Sequence, residues 1–136
     1  MDREFPDPDV TSYIRVICRS GITLYGRDIP DVFSDVSDAD FWVAITAGID
    51  RYSFHDYGPR YLASNILILG RILSYKETRQ ILSKYEAGLW MARRVPEALG
   101  YLPELAVKMW YEGERHALPE EDLEKLREYL IGEIKR

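Results

Sequence analysis

The 136-residue sequence predicts an all-α fold. Apolar residues recur at spacings of three and four, almost nothing alternates as a strand would, and helix-opening signals precede the periodic stretches. Five or six helices with short loops are expected, packed as a bundle in one domain over residues 1–136.

The elements follow in order. Asp7 can cap a first helix with Pro8 at its first position, and Val10, Tyr13, Ile14 and Ile17 then share one face before Gly21 ends it. Ile22 to Gly26 reads as a short extended piece, and a loop follows through Pro30 and Phe33. Ser37 and Asp40 form a capping box for a helix carrying Phe41, Val43 to Ile45 and Ile49, which Gly48 weakens. Arg51 to Gly58 is aromatic and polar without a period, so it is a loop. Gly58 and Pro59 open the longest helix, through about Tyr75; apolar residues lie almost all round it, as in a strut buried on every side. Ser83 and Glu86 form a second capping box ahead of Ala87, Trp90 and Met91, and Pro96 stops that helix. Two more helices are expected near Pro103 to Glu112 and Pro119 to Ile134, the last with Leu123, Leu126, Leu130 and Ile134 on one stripe. Residues 1–6 are expected to fray.

Composition narrows the class. With 46% hydrophobic and 30% charged residues, the chain reads as a soluble globular protein. One cysteine, Cys18, excludes an intramolecular disulfide framework, and no residues show metal-ligand spacing, so a reducing, cytoplasmic setting is expected. No apolar run approaches the roughly 18 residues of a membrane span. The acidic start, MDREFPDPD, lacks the apolar segment of a signal peptide. The net charge of −5 is uneven: residues 1–58 hold eleven acids against five bases, residues 59–111 four against eight. An acidic first half argues against nucleic acid and suits a cationic small molecule or a solvated surface.

One stretch carries a resemblance. Arg71-Ile72-Leu73 at the end of a long apolar helix, a polar loop, Ser83-Lys84, Ala87 to Trp90 and Val95-Pro96 occur in an order that resembles the C-terminal helical domain of aminoglycoside (streptomycin and spectinomycin) adenylyltransferases. Asp7-Pro8-Asp9-Val10, Gly21 to Gly26, Asp31-Val32-Phe33 and Ser37 to Phe41 extend it to nearly the whole chain. The resemblance implies a substrate-binding, nucleotidyltransferase C-terminal-like fold. In that family catalysis belongs to a preceding α/β module with a Gly-Ser turn, an Asp-x-Asp pair and a third carboxylate holding two divalent metals. This chain starts after the place of that module, so it is expected to be inactive alone and to work with a separate catalytic nucleotidyltransferase chain. No cofactor is expected on this chain by itself; Mg and ATP belong on the catalytic partner. The resemblance also implies that one wall of an antibiotic cleft comes from the loop before the long helix, here Asp50, Tyr52, Phe54, His55, Asp56, Tyr57 and Arg60. Carboxylates suit ammonium groups and rings suit apolar sugar faces.

Two other readings compete. One is a non-enzymatic helical interaction protein or homodimer. The other is a minimal nucleotidyltransferase using Asp38 and Asp40, because Ser37-Asp38-Ala39-Asp40 imitates a catalytic strand signature. Against it, the helical period continues through Ile45 and Ile49, and Ser37 with Asp40 already makes a cap. Of the remaining polar residues, His55 and His116 read as surface histidines and Cys18 as a core residue. Trp42, Trp90 and Trp110 read as packing, and Arg71 needs a partner such as Glu86 or an end carbonyl.

Overall fold

A computed structural model describes residues 7–55 and 58–136. The expected fraying of residues 1–6 lies outside them. The described residues are helical or loop throughout, and the chain forms two compact units, Met1–Ala47 and Gly48–Arg136.

The first unit holds α1 (Pro8–Ser20), the single turn α2 (Ile29–Val32) and α3 (Asp38–Thr46). As expected, Asp7 accepts a hydrogen bond from the Asp9 N–H, Pro8 occupies the first turn and Gly21 caps the end. The shared apolar face of α1 is not its most buried side, however, and Ile14 on it is half-buried. Val10, Tyr13 and Ile17 face solvent, while Arg15 on the opposite side is buried. Arg15 is held there by the Val36 carbonyl and the Asp38 carboxylate and lies 5.7 Å from the centroid of the Phe41 ring. An ion pair bridging α1 to the start of α3 thus replaces the apolar seam that the periodicity suggested. α2 lies where a loop was expected; Pro30 suits a first helical turn.

The second unit opens with a 3₁₀ turn, Ile49–Arg51, followed by α4 (Gly58–Thr78), α5 (Lys84–Arg94), a 3₁₀ turn Glu97–Leu99, α6 (Tyr101–Tyr111) and α7 (Glu120–Lys135). Ile49 therefore does not continue α3. That helix ends at Thr46, and Gly48 takes a left-handed φ of 67° that a side chain would resist. α4 is the predicted strut: its buried residues run from Ala63 to Tyr75 and include both Ser64 and Ser74. It packs against α5, α6 and α7. It outlasts the predicted end at Tyr75 because its polar last turn is tied down. The Lys76 ammonium donates to the Glu133 carbonyl at 2.6 Å, and Glu77 pairs with Arg94. α5 begins at the predicted box, with Ser83 and Glu86 each bonding the other's backbone. On α7 the leucine stripe is buried as predicted, Leu126 and Leu130 completely.

Candidate functional site

The loop before α4 is built from α4 and α7 as much as from its own sequence. Arg127 of α7 donates to the carbonyls of Tyr52 and Asp50, both at 2.8 Å, and Asn65 of α4 donates to the Ser53 carbonyl at 2.7 Å. Backbone groups that cannot form a helix or sheet are satisfied by these side chains, which fixes the loop. Asp50 pairs with Lys135 at 2.7 Å. The His55 Nε2 lies 3.0 Å from Glu124, and its Nδ1 lies 3.9 Å from Glu120. Phe54 is buried at 3% exposure, so its ring packs inward. Asp56 and Tyr57 lie outside the described residues. Tyr52 lines an open groove of about 410 Å³ together with Arg51, Tyr61 and Asn65. Among the described residues expected at a substrate wall, Tyr52 is the one that the groove includes, and Arg51, Tyr61 and Asn65 join it.

Arg60 belongs to a different cluster. It and Arg71 are eleven residues apart on α4, about three helical turns, so both lie on one face, with Ser64 between them. Lys84, the first residue of α5, reaches into that face. Its ammonium donates to the Ser64 hydroxyl at 2.8 Å and sits 3.8 Å from the centroid of the Trp110 ring on α6. The Arg60 guanidinium lies over the same ring at 4.8 Å. Arg71 gives its Nε–H to the Leu82 carbonyl at 2.8 Å, the loop carbonyl rather than the Glu86 carboxylate. Glu86 is occupied with the cap.

Two cations thus share the Trp110 ring and Arg71 adds a third charge felt by Lys84, and among the described residues no carboxylate forms a salt bridge with any of them. Burial first, then the charges of Arg71 and Arg60, hold the Lys84 ammonium below its usual lysine pKa. Lys84 also stands at the positive end of a helix dipole, where a cation is disfavoured and an anion welcome. Donors, charge and an aromatic floor are the components of an anion site. From the sequence, Arg71 is expected to meet Glu86 or an end carbonyl, and nothing there joins it to Lys84. The signal was there in the spacing of Arg60, Ser64 and Arg71 on one face.

Asp38 and Asp40 do not form a metal pair. They occupy the first turn of α3 two residues apart, where side chains do not face each other. Asp38 pairs with Arg15, and the Asp40 carboxylate accepts from the Ser37 hydroxyl at 2.7 Å. Among the described residues no cluster of three His, Cys, Asp or Glu side chains could hold a metal ion. Nor is any described helix long and apolar enough to cross a membrane.

The sequence family described as aminoglycoside adenylyltransferase, C-terminal domain, matches residues 31–133. The chain belongs to this family. Its fold is that of spectinomycin adenyltransferase AAD(9) from Enterococcus faecialis, whose structure holds ATP and spectinomycin. The TM-score is 0.80 at 24% identity, over 96% of this chain and 52% of that one. This chain therefore spans about half the length of that enzyme. No curated protein sequence matches it. The all-α, nucleotidyltransferase C-terminal-like fold expected from the sequence is thus established.

Proposed function

We propose that this chain is the helical, non-catalytic half of an adenylyltransferase, working with a nucleotidyltransferase module that carries the catalytic carboxylates, Mg and ATP. Its contribution to the nucleotide is the strip formed by Arg60, Arg71 and Lys84. The observation that carries this reading is the positive charge gathered at Lys84, where partial burial and two guanidiniums meet at a helix N-terminus. Such crowding costs stability unless an anion relieves it, and the phosphates of ATP are anions of the right chemistry. The relative solved with ATP and spectinomycin makes a nucleoside triphosphate the natural one. The groove lined by Arg51, Tyr52, Tyr61 and Asn65 is, in this reading, where the antibiotic lies.

Tripolyphosphate and metal-free ATP test the anion strip without any catalytic module. A ligand at ten times its Kd stabilises a fold by about 1.4 kcal/mol, enough to raise Tm by several degrees. The expected result is a saturable rise in Tm with millimolar tripolyphosphate that sodium chloride of equal ionic strength does not reproduce. Lys84→Ala removes the rise. Lys125→Ala, which breaks an exposed pair with Glu121 on α7, leaves it unchanged. A melting temperature indifferent to tripolyphosphate, or equally raised in Lys84→Ala, would sink the proposal.

A further inference from the structure

The first unit leaves much of its apolar surface outward. Across its described residues only Arg15 and Phe41 are buried, while Val10, Tyr13 and Ile17 of α1 are 50%, 64% and 37% exposed. In the segment after α1, Ile22, Leu24 and Tyr25 are 83%, 94% and 99% exposed. An amphipathic helix normally turns its apolar stripe inward, and a contiguous exposed apolar surface marks an interaction site.

Charge selects the occupant. Residues 1–47 hold nine acids against four bases, so this unit carries a net −5, the net charge of the whole chain. A two-fold dimer through this face would set two such acidic units against each other. A second copy is therefore disfavoured, and a partner with an apolar centre and a basic rim is favoured. The matched adenyltransferase contains about as much chain again beyond the part that this protein covers. We propose that the outer face of α1, together with the exposed Ile22, Leu24 and Tyr25, is the docking surface for the catalytic nucleotidyltransferase module. This rests on the reading of the chain as an accessory half.

The test co-expresses the full present chain with a tagged fragment of AAD(9), namely the portion that this chain does not match. Copurification, and the mass of the complex by sedimentation, are the readouts. One variant carries Tyr13→Glu and Leu24→Glu on the proposed surface. A control carries Tyr85→Glu and Leu89→Glu, which are exposed on α5. Circular dichroism checks that both keep the helical content of the parent. The expected result is a one-to-one complex that the first variant weakens at least tenfold and the control leaves intact. A complex that survives the first variant overturns this surface and leaves the accessory reading standing. If the unmutated chain forms no complex, the accessory reading fails with it. If instead the chain alone forms a dimer that the first variant disperses, the face belongs to a second copy and the proposal is wrong.

Discussion

Lys84 shows how one residue can break a local rule and thereby mark a site. A lysine at the first position of a helix meets the positive end of the dipole, and here it also meets partial burial and two guanidiniums. Cation–π contact with Trp110 and the Ser64 hydroxyl offset part of the cost. The pH dependence has a definite sign. With a folded pKa below the unfolded value of 10.5, the unfolded chain holds more protons between the two values, so stability rises with pH there. The penalty is fully present below the folded pKa and fades as pH rises through it. Thermal melts across the alkaline range should therefore show the unmutated protein gaining stability relative to Lys84→Met, which lacks that proton. Parallel curves would show that Lys84 does not feel the two arginines. Little of this could be read in the sequence. Lys84 was visible as part of a family pattern, but the three cations come from two helices and meet only through the crossing of α4 with α5. Phe54 is a similar case, since a loop of unpatterned aromatics gives no sign of which ring turns inward.

At the scale of the elements, periodicity and capping were far more informative. Asp7 with Pro8, Ser37 with Asp40 and Ser83 with Glu86 each mark a helix start within a residue, because the cap is a local bond between neighbours. Helix ends were less legible: α4 runs on to Thr78 because Glu133 and Arg94, distant in sequence, hold its last turn. The two glycines at the contacts of α5 make a sharp comparison. A methyl at Gly88 would run into the side chains of Val107 and Leu67, so α5 comes close to α4 and α6 only because none is there. A methyl at Gly70 meets the end of the Met91 side chain at 2.7 Å, and a thioether chain can swing aside. Replacing helical glycine by alanine gains up to about 1 kcal/mol of propensity, whereas overpacking a filled contact costs about 1–3 kcal/mol. Urea titration should find Gly70→Ala neutral or slightly more stable and Gly88→Ala less stable by about 1 kcal/mol. Equal effects at the two positions would mean that α5 sits further from α6 than described here.

For the whole molecule, the fold class was legible because helix signals repeat from end to end, but the distribution of stability was not. Nothing in the spacing of Val10, Tyr13 and Ile17 says that the face they form is left open, since the same pattern would serve an internal seam. The two units differ in what holds them. Gly48–Arg136 buries complete side chains from four helices, including Leu67, Met91, Leu102 and Leu126. Among its described residues Met1–Ala47 relies on the links of Arg15 and Arg19 to Asp35 and Asp38 around one buried ring, Phe41. A segment of about 40 residues rarely stabilises itself without a core, a metal or a partner. Native-state hydrogen exchange should therefore show amides of α1 and α3 opening at a lower free energy than those of α4 and α7, which should exchange near the global limit. Arg15→Ala should widen the gap by exposing α1 further, while leaving the exchange of α7 unchanged. A single opening energy for all the helices would show instead that the apolar face of α1 is no weak point, and it would remove the energetic reason for a partner to cover it.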